Sequence, residues 1–167
     1  DRFGQIEPKV LFAVDGYHYN GKTHDCLAKL TKISHALDSV QHVIMIPFLK
    51  SKLAIADIKN AVLYHAFLSE DTTLQFEQVS FNHAVYIMYS SGTTGTPKCI
   101  VHGVGGTLLQ HLKELALHTN ISAQSRFFFF TTCGWMMWNW MVSNLLLGSS
   151  IVLYDGSPFY PSKDRVI

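Results

Sequence analysis

Apolar residues in this chain gather into short blocks separated by polar turns, and in three places they repeat at helical spacing instead. Residues 9–14 form the first block, whose β-branched and aromatic content predicts a strand. Residues 15–22 read as a turn region around Asn20-Gly21. From Thr23 onward Cys26, Leu27, Leu30, Ile33 and Leu37 share one helical face, and residues 43–46 ahead of Pro47 are a second strand. Strand, helix and strand make a βαβ unit, which favours parallel pairing with a right-handed crossover.

Beyond it the pattern is mixed, with a short strand expected at residues 61–64 and a polar loop at residues 69–73. Residues 85–89 predict a buried strand. In residues 107–118, Leu108, Leu109, Leu112, Leu115 and Ala116 make an apolar helical stripe expected to pack on the sheet, with Lys113 and Glu114 outward. An aromatic strand (residues 126–132), an apolar helix (136–147) and a strand (150–154) follow. The alternation predicts an α/β fold, layered βαβ units with a largely parallel sheet. Ligands of such sheets bind where strands end, so the segments after residues 89 and 133 are expected to meet over one cleft.

Composition narrows the functional classes. With 167 residues, 48% of them apolar, the chain can bury a core of ordinary domain size. Thirteen basic against twelve acidic side chains leave no field for nucleic acid or a polybasic membrane patch, so small molecules are the expected partners. Residues 127–154 carry no charge and are long enough to cross a bilayer, but Gly134, Asn139, Asn144 and Gly148 interrupt them and favour buried strand, helix and strand. Cys26, Cys99 and Cys133 are odd in number and widely spaced, which suits reduced thiols in a cytoplasmic protein. Nine histidines are scattered, and none makes an H-E-x-x-H pair, so no metal site is expected. The start at Asp1-Arg2-Phe3, without methionine or a signal peptide, reads as internal to a longer chain.

The chemistry concentrates at Tyr89-Ser90-Ser91-Gly92-Thr93-Thr94-Gly95-Thr96-Pro97-Lys98. Gly92 and Gly95 let backbone N–H groups approach an anion closely, the hydroxyls add short donors, and Lys98 adds a cation. Each hydrogen bond to a charged oxygen is worth roughly 1.5–3 kcal/mol, so several together suit a polyphosphate. It is not a Walker loop: Pro97 precedes the lysine and Cys99 stands where a magnesium-binding hydroxyl belongs. By composition alone the same cluster also fits a solvated loop. His102 and His111 have no carboxylate nearby in sequence and read as packing or surface residues. Asp155-Gly156-Ser157-Pro158 reads as a structural turn.

The ordered stretch 89–98 resembles the phosphate-loop signature of the adenylate-forming superfamily. Residues 98–103, Gly105-Gly106-Thr107-Leu108-Leu109-Gln110-His111-Leu112-Lys113-Glu114, Gly134-Trp135-Met136-Met137-Trp138-Asn139-Trp140-Met141-Val142-Ser143 and residues 152–158 resemble, within it, the acetoacetyl-CoA synthetases. Acetyl-CoA synthetases share Gly-Trp but continue Val-Thr-Gly-His, which this chain lacks.

The resemblance implies that Ser90, Ser91, Gly92, Thr93, Thr94, Gly95, Thr96 and Lys98 wrap the ATP phosphates with Mg2+, Lys98 and Thr93 serving catalysis. It also implies that Trp135, Met136, Met137 and Trp138 line the acyl pocket, while Trp140 and Met141 are core and Asn139 is a candidate donor to a second carbonyl. The implied reaction activates acetoacetate as an acyl-adenylate and transfers it to CoA.

The adenine segment, the ribose aspartate and the lid lysine of that family are not found, so residues 1–167 are expected to be an incomplete segment of the large N-terminal AMP-binding domain. The C-terminal remainder is the expected partner, and the chain alone is expected to be inactive. Two other readings stay open: a synthetase for another short acid such as acetate, and a non-catalytic product that binds nucleotide or a partner.

Overall fold

The computed structural model describes residues 2–90 and 95–162. They divide into two compact units, Asp1–Leu74 with Gly156–Ile167, and Gln75–Asp155.

In the first unit β1 (Val10–Val14), β4 (His42–Ile46) and β5 (Ala61–Leu63) form a parallel sheet in the order β1-β4-β5. The crossover carries α1 (Leu27–Ala36), as the βαβ pattern predicts. β4 is central, and Val43, Ile44 and Met45 are wholly buried, which is why its sequence is a continuous apolar run with no alternation. Val43 and Met45 join Val40 and Ile58 in a core that Leu11, Leu27, Leu30 and Leu37 pack against.

The expected turn region is a hairpin, β2 (Gly16–Tyr19) against β3 (Lys22–Asp25). Asn20 and Gly21 both have positive φ, 49° and 73°, the two-residue turn that suits strand twist. Because β3 takes Thr23 to Asp25, α1 begins later than its apolar face suggests, and the Asp25 carboxylate accepts the Leu27 N–H at 2.9 Å to cap it. A short helix, α2 (Tyr64–Phe67), follows β5 directly.

In the second unit β6 (Ala84–Tyr89) and β7 (Cys99–Gly103) pair antiparallel, with Tyr89 opposite Cys99. The phosphate-loop stretch is therefore the loop of a hairpin. α3 (Val104–Lys113) follows without a break and widens into a π-helical turn at Glu114–His118.

The leucine stripe of this helix lies elsewhere than expected. Leu108, Leu109 and Leu112 are exposed, and Gly105, His111 and Leu115 face inward. The inward line is possible because Gly105 lets the Phe81 ring lie against the helix, where a Cβ would collide with it, and because His111 finds a polar partner.

The aromatic segment contributes only β8 (Arg126–Phe127), paired parallel with β9 (Ser150–Ile151). Its period-two alternation nevertheless persists: Phe127 and Phe129 set their edges on Trp140, and Phe128 and Phe130 set theirs on Tyr154. Between β8 and β9 run α4 (Met136–Val142) and a 3₁₀ turn, Ser143–Leu147, closed by Gly148 at φ 72°. Among the described residues no helix is long and apolar enough to cross a membrane. The parallel pairings and crossover helix make the chain α/β, with the two hairpins as antiparallel additions.

Candidate functional site

Strand β6 is the pedestal of the site. Its end leads into Ser90, whose N–H donates to the Lys98 carbonyl at 3.0 Å while the Lys98 N–H donates to Ser90 Oγ at 2.9 Å. These two bonds close the neck of the loop between β6 and β7. Ser90 thus spends one lone pair on the loop itself. Ser91, Gly92, Thr93 and Thr94 lie outside the described residues. Gly95, at φ 155°, and Thr96 are exposed, as is Lys98, whose ammonium makes no ion pair among the described residues.

The acyl-pocket candidates sit at the start of α4. Trp135 is 68% exposed and Met136 42%, so neither is ordinary core, whereas Met137 and Trp138 are half-buried. Met141 is buried and Trp140 is packed by two phenylalanine rings, so the core reading holds for that pair. Trp138 lines a cavity of about 170 Å³ with Phe128, Phe130, Met141 and Tyr154, and Asp155 stands at its edge.

Asn139 joins the two candidate segments. Its side-chain amide donates to Met88 Sδ at 3.4 Å, which ties the first turn of α4 to β6 two residues before the loop neck. This contact joins α4 to the strand that leads into the loop; the loop residues 91–94 themselves lie outside the described residues.

His111, on α3, is 3% exposed, and its Nδ1 lies 2.8 Å from Ser143 Oγ. Burial holds its pKa below the ordinary value, and His102 pushes in the same direction. His111 is the packing residue the sequence suggests, with a hydroxyl partner and no carboxylate. His102 is half-buried on β7 opposite Tyr86.

Sequence reasoning missed a carboxylate of the first unit. Asp15 is wholly buried just after β1, where it accepts N–H bonds from Phe48, Leu49 and Lys50 at 2.7–3.2 Å. Desolvation pushes its pKa up, but the backbone donors outweigh it and leave the pKa below the ordinary value. Asp in a stretch read as a turn was the one signal, and it did not distinguish a buried clamp from an exposed turn residue. Among the described residues no three His, Cys, Asp or Glu side chains stand together to hold a metal.

A family model described as "AMP-binding enzyme" matches residues 2–167. The chain belongs to the AMP-binding enzyme family. Within this AMP-binding family, it is 50% identical over 97% of its length to an acetoacetyl-CoA synthetase of Mus musculus. It is also 45% identical over 96% of its length to the malonamoyl-CoA synthetase vrtB of Penicillium aethiopicum. The solved acetoacetyl-CoA synthetase of Streptomyces lividans superposes with a TM-score of 0.90 at 45% identity, over 98% of this chain. This AMP-binding chain spans about a quarter of the length of these relatives, 25% of the mouse protein and 23% of the fungal one.

Proposed function

We propose that the protein carrying this chain is an acid-thiol ligase that activates acetoacetate with ATP and passes the acyl group to CoA. The acid's carboxylate oxygen attacks the α-phosphorus, the bond to the β-phosphate oxygen breaks, and pyrophosphate leaves. The CoA thiol then attacks the acyl carbon of the adenylate, loses its proton, and expels AMP. Positioning and charge neutralisation carry the first step.

The observation that supports this reading is the closed loop neck joined through Asn139 and Met88 to the Trp135–Trp138 segment, in a chain so similar to acetoacetyl-CoA synthetases. In it Ser90, Ser91, Gly92, Thr93, Thr94, Gly95, Thr96 and Lys98 hold the phosphates, with Lys98 and Thr93 acting on the leaving pyrophosphate, and Trp135, Met136, Met137 and Trp138 bound the acid. Mg2+ is expected on the phosphates of the nucleotide, the usual carrier of this ion, with no residue here assigned to it. Residues 1–167 are then a segment of the large N-terminal domain, and the lid domain comes from the C-terminal remainder. Cys26, Cys99 and Cys133, read as reduced thiols, suit the cytosol.

A second reading has its own support. Acetoacetate and malonamate both carry a carbonyl on the third carbon, and the fungal relative's name specifies the latter acyl group. Acid-dependent pyrophosphate exchange by the complete gene product, with acetoacetate, malonamate and acetate, separates the readings. Preference for acetoacetate supports the first, preference for malonamate the second, and equal turnover of acetate and acetoacetate rejects both. Replacing Lys98 with alanine is expected to slow exchange by about tenfold to a hundredfold, the worth of one charge-assisted hydrogen bond, with an unchanged melting temperature. Unaltered exchange would remove Lys98 from the mechanism.

A further inference from the structure

Met136–Asn139 form the first turn of a helix only seven residues long, too short to hold its own shape without tertiary support. The support is a chain of hydrogen bonds. The Ser143 hydroxyl donates to the Asn139 carbonyl at 3.0 Å, so its oxygen receives from His111 Nδ1 at 2.8 Å, and the proton of the imidazole must sit on Nδ1. Asn139 in turn reaches Met88. α3, α4 and β6 are thereby locked around one another by His111, Ser143 and Asn139.

His111, His102, Thr107, Met136 and Asn139 line a cavity of about 10 Å³, room for one water molecule and far too small for an acyl group. An acid does not fit in that space, which leaves the Ser143 bond to α4 as the route by which His111 acts on it.

We propose that His111 is a positioning residue for acid selection: through Ser143 it sets the placement of Met136–Asn139, and so decides how well the pocket fits its acid. The inference rests on the reading of Trp135–Trp138 as the acyl segment. Burial favours the neutral ring, and the Ser143 oxygen as acceptor holds its proton on Nδ1.

The test compares kcat/KM for acetoacetate and for acetate in the complete gene product. His111→Leu, which removes the donor, is expected to shift that ratio roughly tenfold with the KM for ATP unchanged, since sub-ångström misplacement acts on the acid end alone. His111→Asn, whose amide N–H lies where Nδ1–H does, is expected to keep the ratio within about twofold. Ser143→Ala breaks the same link while leaving His111 in place, and carries the test if His111→Leu does not fold. His111→Leu combined with Ser143→Ala is expected to shift the ratio no further than either alone.

Equal losses for both acids, additive shifts, or an Asn variant as altered as the Leu variant would each overturn the inference. An active wild type whose ratio no variant moves overturns it alone. A wild type inert toward every acid overturns the proposed function and takes this inference with it.

Discussion

Asp15 and Lys98 illustrate two uses of charge. The Lys98 ammonium stands exposed at the neck of a loop, where it costs nothing to keep hydrated, while the Asp15 carboxylate is fully withdrawn from water and survives only because three consecutive N–H groups replace its hydration. Replacing Asp15 with alanine leaves those three donors without their acceptor. At about 1–3 kcal/mol each, the loss should reach several kcal/mol, read as a shift of the urea midpoint.

The sign of the pH dependence follows from the lowered pKa. Above the ordinary value of 3.8 the carboxylate is ionised in both folded and unfolded chains and its stabilisation is complete. As the pH falls below 3.8 the unfolded chain takes up the proton first, so stability declines until the folded carboxyl is also protonated. Asp15→Asn should flatten that acid limb of a urea-midpoint series, and an unchanged limb would show that the clamp is not formed.

At the scale of elements, α3 shows how one small residue redirects a helix. Leucines at 108, 109 and 112 would make a good buried stripe, yet the helix turns the 105, 111 and 115 line inward. Gly105 is the reason: its N–H donates to the Phe81 carbonyl at 2.9 Å and the Phe81 ring occupies the place of a Cβ. Gly105→Ala should therefore destabilise the second unit by about 1–3 kcal/mol, despite alanine's better helix propensity. Adding Phe81→Leu should restore part of the loss in a thermal melt. An alanine variant as stable as the wild type would mean that Phe81 moves aside freely.

Element existence was legible in residues 9–14, 43–46, 85–89 and 107–118 because strand and helix periods are written in adjacent positions. The hairpin flanks of Asn20-Gly21 were not, since Gly16–Tyr19 and Lys22–Asp25 are too polar to announce strands. The partner of β6 was hidden for another reason. Cys99–Gly103 entered only as part of a block that resembles a family, with no strand assigned, and antiparallel pairing with β6 depends on how the loop closes at Ser90 and Lys98.

For the whole molecule, each unit leaves apolar surface open. Phe12 is 57% exposed in the first unit and Leu109 59% in the second, and among the described residues β1 and β5 are the edges of a three-stranded sheet. Edges and apolar faces of this kind pair with other chains unless covered. Residues 1–167 expressed alone should therefore form concentration-dependent assemblies in light scattering. A monomer that stays monomeric with rising concentration would show that these faces need no cover.

The order of hydroxyls, glycines and lysine from Ser90 to Lys98, and the Gly-Trp-Met-Met-Trp run, were enough by themselves to set the family and the pair of segments that form the candidate site. Such loops are local: the residues that shape them are neighbours in the chain. Only the tertiary structure decided that Asp15 is a buried clamp and that His111 faces inward against Ser143. Each depends on partners about thirty or more residues away, 33 to 35 for Asp15 and 32 for His111. Whether a polar side chain is buried is settled by the donors and acceptors that packing brings to it, and no local pattern records them.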